Sequence, residues 1–276
     1  MSNLASGLYI VSTPIGNLED ITIRAINVLK NSDFILCEDT RHSIKLLNNY
    51  KINSKLISYH KFNEKKSVKK IIGYLNEGKI LSLISDAGTP TLSDPGNIII
   101  NECVNKNYNV FTVPGPSAIT SAVSLSGFGD KFLFIGFLPK KEKELEKNLK
   151  KLSDYGCSLV FFIPGIKLNF YIKHLKKYFS ERKIFIAREM TKKYETYYRD
   201  SVKNLDLFNP IPKGELTAVI SPKVIKRNQS IDYGKIEKQV IKYLDKYKVK
   251  DIVNLISVKE NISKKIVYNL CIKHKR

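Results

Sequence analysis

Four short segments rich in Gly, Pro and small polar residues carry the side chains best suited to hold and act on a ligand. They are Ser12-Thr13-Pro14-Ile15-Gly16-Asn17-Leu18, Cys37-Glu38-Asp39-Thr40-Arg41, Ser85-Asp86-Ala87-Gly88-Thr89-Pro90 and Pro114-Gly115-Pro116-Ser117-Ala118. Small residues let backbone groups approach a ligand closely. Two of the segments also bring carboxylates, Glu38, Asp39 and Asp86. The last segment opens a predicted helix, whose leading N–H groups lack partners and suit a carboxylate or phosphate. Gly and Pro also punctuate ordinary turns. One such segment alone reads as a turn; four at the ends of predicted strands read as a ligand site.

Several other chemistries lack their signatures. No Gly-x-Gly-x-x-Gly follows the first strand, and Gly127-Phe128-Gly129 lacks the third glycine, so a dinucleotide fingerprint is missing. A phosphate-binding Gly-x-x-x-x-Gly-Lys-[Ser/Thr] is missing too. His42, His60, His174 and His274 do not pair at metal-ligand spacing, and Cys37, Cys103, Cys157 and Cys271 form no Cys-x-x-Cys. No metal is expected. Chemistry falls to carboxylates, hydroxyls and backbone dipoles.

The elements that must position these loops alternate. Leu8–Val11, Phe34–Cys37, a short strand near Leu56-Ile57, Ile80–Ile84 and Val110–Val113 are apolar runs of strand length. Between them lie helical stretches: one capped by Asp20 with Ile23, Ile26 and Leu29 on one face, then Ser43–Asn49, Val68–Asn76 and Ile98–Asn105. Short apolar strands separated by helices predict a largely parallel sheet covered on both faces, with ligands at the strands' carboxyl ends. A less regular second unit begins near Phe132. There Leu138–Lys141 reads as an exposed connection into a helix at Lys143–Leu152, with strands at Ser158–Ile163, Lys183–Ala187, Tyr194–Tyr198 and Leu216–Ile220. Three short helices are expected at Ile231–Tyr247, Lys250–Val258 and Ser263–Ile272. The fold class is α/β, with a mostly parallel N-terminal sheet, a mixed α+β second domain and a small helical tail. The expected divisions are 1–125, 126–222 and 223–276.

The net charge of +21 suits a polyanionic partner, since basic surfaces attract phosphates and release their counterions. Most of the 47 cationic side chains are lysine in a chain crowded with Ile, Asn and Tyr, a mix that codon bias also produces. Scattered cysteines suit a reducing cytosol. The Met-Ser-Asn start is no signal peptide and no apolar run reaches the ~20 residues of a membrane span, so a soluble, cytoplasmic protein is expected.

The loops also match a known pattern. Tyr9-Ile10-Val11-Ser12-Thr13-Pro14-Ile15-Gly16-Asn17-Leu18-Glu19-Asp20-Ile21-Thr22 resembles the opening of the ribosomal RNA small subunit methyltransferase I family. Those are 16S rRNA cytidine-2′-O-methyltransferases within the tetrapyrrole methylase superfamily. Cys37–Arg41, Ser58–Glu64, Leu83–Pro90, Ser93–Gly96, Val113–Ala118, Ala187–Glu195 and Lys213–Glu215 are similar to the same family in the same order. The resemblance covers 7–221 at least, and the tail around Ser263–Tyr268 resembles the family's small helix-turn-helix-like module.

That resemblance implies a homodimer that binds S-adenosylmethionine in a cleft between two α/β domains, and a 16S rRNA or small-subunit acceptor. By position, Asp86, Ala87, Gly88 and Thr89 would lie along the methionine and ribose of the donor, with Pro14 at the border and Ser117 and Ala118 at the helix start. The reaction is an in-line displacement, helped mainly by alignment and then by a base for the ribose hydroxyl. Asp39, Glu38 and Glu64 are candidate bases, and Arg41 and Lys61 candidate RNA phosphate anchors. Asp39 and Arg41 read equally well as a local ion pair, and Arg188, Glu189 and Glu195 read as a structural network. One departure stands out: where the family usually shows Glu-Ser-Pro-His-Arg, this chain has Ile163-Pro164-Gly165-Ile166-Lys167. Alternatives are a tetrapyrrole or diphthine-type methyltransferase of the same superfamily, or an RNA-binding ribosome-assembly protein with little activity. The superfamily's usual Gly-Asp-Pro is Ser85–Pro90 here, which favours RNA.

Overall fold

The apolar runs of the first half form five parallel strands, β1 (Gly7–Val11), β2 (Phe34–Cys37), β3 (Lys55–Ser58), β4 (Ile80–Leu83) and β5 (Val110–Val113), ordered β3-β2-β4-β1-β5. This computed structural model describes residues 4–223, 233–260 and 262–275. Alternate strand residues face two separate cores. Tyr9, Val11, Ile35 and Cys37 pack with Ala25, Val28 and Leu29 of α1 (Ile23–Lys30) and Leu47 of α2 (Thr40–Asn49). Leu8, Leu36, Leu81 and Leu83 pack with Ile71 and Leu75 of α3 (Glu64–Asn76) and with Ile99 and Cys103 of α4 (Asn97–Asn105). Both faces are covered, as a parallel sheet requires.

Two local expectations need correction at α1. Its cap is Thr22, whose hydroxyl accepts from the Ala25 N–H at 3.0 Å, while Asp20 ends a preceding 3₁₀ turn. Its buried face is Ala25, Val28 and Leu29, and Ile23 is 79% exposed.

The second sheet is mixed, ordered β6-β7-β10-β8-β9 from β6 (Phe132–Phe137), β7 (Ser158–Pro164), β8 (Lys183–Arg188), β9 (Thr196–Ser201) and β10 (Glu215–Ile220). Only β6 and β7 pair in parallel; the other pairings are antiparallel. One face carries Phe161, Ile163, Ile186 and Ala218 against α6 (Glu142–Leu152) and α7 (Leu168–Phe179). The other face carries Val160, Phe185 and Val219 against Ile119 and Ala122 of α5 (Ala118–Ser126). The helix that follows the last parallel strand therefore packs on the second sheet and joins the two halves. Leu138, expected in an exposed connection, is buried beneath α6 and α7.

The chain divides into two compact units, Met1–Val224 and Ile225–Arg276. The smaller holds α8 (Tyr233–Leu244), α9 (Val249–Lys259) and α10 (Lys264–His274) around Ile236, Val240, Ile256 and Val267. The expected helix start at 231–232 lies outside the described residues. No helix among the described residues is long and apolar enough to cross a membrane.

Candidate active site

Each first-half loop that the sequence singled out leaves the carboxyl end of a parallel strand, and hydrogen bonds lash the loops together. Thr13 and Gly88 form an isolated antiparallel bridge. The Ser12 and Thr89 hydroxyls lie 3.0 Å apart, and Thr89 Oγ1 donates to Pro116 O at 3.1 Å. Thr13 Oγ1 donates to Ser85 O at 3.2 Å. The Asp39 N–H donates to Asp86 Oδ1 at 3.3 Å, which brings in the loop after β2. Gly88 sits at φ +78°, and a Cβ there would lie 3.2 Å from Ile15 Cγ2, so glycine suits both the backbone and the space.

These loops wall a cavity of about 300 Å³ between the two sheets. On the first-sheet side its walls include Ile15, Glu38, Asp86–Thr89, Asp94, Ser117 and Ala118. Phe137, Phe162, Ala187, Glu189, Glu215 and Thr217 close it from the second sheet. The second wall is held in place by close contact. A Cβ on Gly16 would lie 2.4 Å from Lys192 Cγ, and the Asn17 N–H donates to Thr191 Oγ1 at 3.0 Å. A neighbouring cavity of about 280 Å³ shares Ile15, Asp86, Ala87 and Lys192 and is lined by Pro14 and Ser43. Pro14 lines this second hollow and is not among the walls of the first.

The expected bases separate in the structure. Glu38 is half-buried in the cavity wall, and burial, reinforced by Asp86, pushes its carboxyl up while His60 pulls it down. Asp39 caps α2 and pairs with Arg41 at 2.9 Å; hydrogen bonds from the Arg41 side chain and backbone hold its carboxyl down at about 2. Glu64 points into the fold, where Oε1 accepts from Tyr59 Oη at 3.2 Å and from the Gly96 N–H at 2.8 Å. Arg41 and Lys61 are both exposed, and beside Lys61 the Phe62 ring is 89% exposed. Ser117 is the N-cap of α5, so the helix start faces the cavity.

Arg188, Glu189 and Glu195, read as one structural network, each hold separate local partners, and Glu189 also lines the cavity. Arg188 Nε donates to Lys213 O at 3.0 Å, Glu189 Oε1 accepts from Lys192 Nζ and the Glu215 N–H, and Tyr197 Oη donates to Glu195. Residues 163–167 pack by close backbone approach. Ile163 is buried in the outer core, and the Gly165 N–H donates to Gly214 O at 2.8 Å. Among the described residues the cavity takes Phe162, just before this stretch, and none of Ile163–Lys167.

Asp94, Phe137, Phe162 and Glu215 line the cavity without having been singled out. Asp94 had a visible signal, an acid in the Ser93–Gly96 run just beyond the third loop. Burial, with Glu38 beside it, pushes its carboxyl up to about 6, against a pull downward from Ser85. The residues fit a cationic, zwitterionic nucleoside. Carboxylates suit its positive groups, the helix start suits its carboxylate, and the volume lies at the small end of ligand pockets. No group of three or more His, Cys, Asp or Glu among the described residues could hold a metal ion.

Residues 7–206 match the family model described as Tetrapyrrole (Corrin/Porphyrin) Methylases. A protein of Mesomycoplasma conjunctivae called "Ribosomal RNA small subunit methyltransferase I" is 44% identical over 83% of this chain and 98% of its own length. A Rickettsia prowazekii protein of the same name is 43% identical over 99% of this chain and 98% of its own. Among solved structures, the methyltransferase CobJ aligns with TM-score 0.61 at 15% identity, over 79% of this chain and 95% of that one. Uroporphyrin-III C-methyl transferase from Thermus thermophilus, complexed with S-adenyl homocysteine, aligns with TM-score 0.53 at 14% identity, over 78% and 97%.

Proposed function

The chain belongs to the tetrapyrrole methylase family, and from that premise we propose that it methylates the ribose 2′-hydroxyl of a cytidine in 16S rRNA, using S-adenosylmethionine. The observation that carries the reading is the single cavity walled by loops from β1, β2, β4 and β5 and by the second sheet. Relatives over 40% identical and matched over most of their length bear the rRNA methyltransferase name. The tetrapyrrole enzymes align at 14–15% identity and support the fold alone. That difference disfavours the tetrapyrrole alternative, and the intact cavity disfavours an inactive assembly protein.

In this reading Asp86, Ala87, Gly88 and Thr89 run along the donor, Ser117 and Ala118 meet it from the start of α5, and Pro14 borders it. When bound, the donor supplies an electrophilic methyl on a positive sulfur. The chain aligns the acceptor oxygen with that methyl, keeps water out with Phe137 and Phe162, and takes up the hydroxyl proton on a carboxylate. Glu38 reaches the cavity, whereas Asp39 and Glu64 are held by Arg41 and by Gly96. Arg41 and Lys61 are the RNA phosphate contacts, with exposed Phe62 available for base stacking. The division into 1–125, 126–222 and 223–276, homodimeric assembly and a cytoplasmic location belong to the same reading.

The test is incubation of the protein with labelled donor and small subunits that lack the modification, followed by mapping of the methyl. Label on the 2′-oxygen of one 16S cytidine is expected. Label on a base, on protein or nowhere would overturn the reading.

A further inference from the structure

Asp94 differs from the other acids of the cleft in how it is held. It lines the same cavity as Glu38, Asp86 and Ser117, on the loop between β4 and α4. That loop has an uncommon backbone, with Thr91 at φ 72°, Ser93 at φ 78° and Gly96 at φ 138°. Non-glycine residues rarely adopt such angles unless the surroundings enforce them. The enforcement is visible. Gly96 seats so closely on Leu83 that a Cβ would lie 2.6 Å from Leu83 Cδ2. Its N–H donates to Glu64 Oε1 at 2.8 Å, and fully buried Tyr59 donates to the same oxygen. Glu64 is thus an anchor for the loop two residues beyond Asp94.

The surroundings of Asp94 suit a proton acceptor. Glu38 faces it from the end of β2, Asp86 from the loop after β4 and Glu215 from β10, while the Glu189–Lys192 pair lines the same hollow. Burial and these neighbours raise its carboxyl to about 6. A base of that strength is ionised at neutral pH and more avid for a proton than Asp39, which Arg41 holds at about 2.

We propose that Asp94 is the catalytic base that accepts the proton of the acceptor hydroxyl, and that Glu64, braced by Tyr59, is the residue that positions it. The proposal rests on the methyl-transfer reading above. A lone pair of the 2′-oxygen forms the new O–CH₃ bond as the C–S pair leaves with sulfur. The hydroxyl proton passes to a carboxylate oxygen of Asp94, so charge and atoms balance without another reactant.

Single-turnover transfer to unmodified subunits tests it, with calorimetry for donor affinity. Asp94→Asn is expected to slow transfer roughly 10²–10⁴-fold at donor concentrations that calorimetry shows to be saturating. The wild-type rate falls at acidic pH as the Asp94 carboxylate is protonated, and the variant lacks that limb. Carboxyl-carbon NMR of the free protein is a readout independent of activity, and shows Asp94 titrating near 6. Glu64→Ala slows transfer, and Glu64→Gln, which keeps an acceptor oxygen for Gly96, restores it. Glutamine as inactive as alanine would make Glu64 itself the base and overturn the assignment. An Asp94→Asn protein as fast as wild type overturns this proposal alone, whereas a wild type inactive on subunits overturns the functional reading with it.

Discussion

Thr13 and Gly88 exchange both backbone hydrogen bonds, Thr13 N–H to Gly88 O at 2.9 Å and Gly88 N–H to Thr13 O at 3.0 Å. They stand 75 positions apart in the chain. Their bridge makes the loops after β1 and β4 one surface, onto which Thr89 Oγ1 fastens Pro116 of the third. The cavity floor is therefore a single hydrogen-bonded unit whose geometry depends on the left-handed turn at Gly88.

Gly88→Val tests that dependence. Any L side chain at φ +78° is strained, and a Cβ also meets Ile15 Cγ2 at 3.2 Å. The backbone strain alone costs about 1–2 kcal/mol, which scanning calorimetry reads as a Tm lower by roughly 2–8 °C in a unit of this size. Donor affinity falls as well, because the displaced backbone lines the cavity.

Asp86 is an exposed acid in the cavity wall that also accepts from the Asp39 N–H. Asp86→Ala is expected to abolish calorimetric binding of S-adenosylmethionine while circular dichroism remains that of the wild type. Near-normal affinity in the variant would move the donor out of this hollow.

Arg41 is the mirror case. Its side chain is 88% exposed, outside the cavity walls, and engages only Asp39 within the described hydrogen bonds. Arg41→Ala should raise KM for the small subunit and flatten the salt dependence of binding by about one unit of log–log slope. Donor affinity stays the same; a selective loss of donor binding would count against an RNA-side role.

The strands and loops were legible because their cues are local. Apolar runs bounded by Gly and Pro mark β1 to β5, and the carboxyl-end rule places the loops that follow them on one rim. The face of α1 was misread because Ala25 adds little to an apolar pattern while Ile23 adds much, yet Ala25 is buried and Ile23 exposed. β6 was invisible as a strand; Gly136 at φ 76° interrupts its pairing with β7. Phe137, Phe162 and Glu215 reach the cavity only because α5 docks on the second sheet, and no local pattern encodes that approach. Glu64 was picked out for its charge, whereas its partners Tyr59 and Gly96 reveal its place.

Gly165 sits where this chain departs from the family's pattern, and the structure explains its small size. A Cβ there would lie 2.2 Å from Pro212 O and 2.9 Å from Gly214 O, both backbone atoms. Gly165→Ala must push β7 away from the 212–214 segment, at about 1–3 kcal/mol for overpacking. Urea denaturation should show the midpoint shifting down with an unchanged slope. Transfer activity per folded molecule persists, since the cavity walls exclude this stretch.

Asp94→Asn carries a prediction for stability with the opposite sign. The folded carboxyl titrates at about 6, against roughly 3.9 in an unfolded chain. Between those values the native state holds a proton that the unfolded state has released, so wild-type stability falls as pH rises through the window. The fall is complete above about 6. Asparagine has no proton to lose, so the variant gains on the wild type as pH rises from 4 to 7. Its Tm should exceed the wild-type value at pH 7, by an amount tempered because Asp94 is only half-buried and partly screened by water. A Tm difference that does not change with pH would mean that the cleft imposes no electrostatic cost on this carboxylate. A growing difference would show a site that gives up stability to keep a base charged where a proton must be taken.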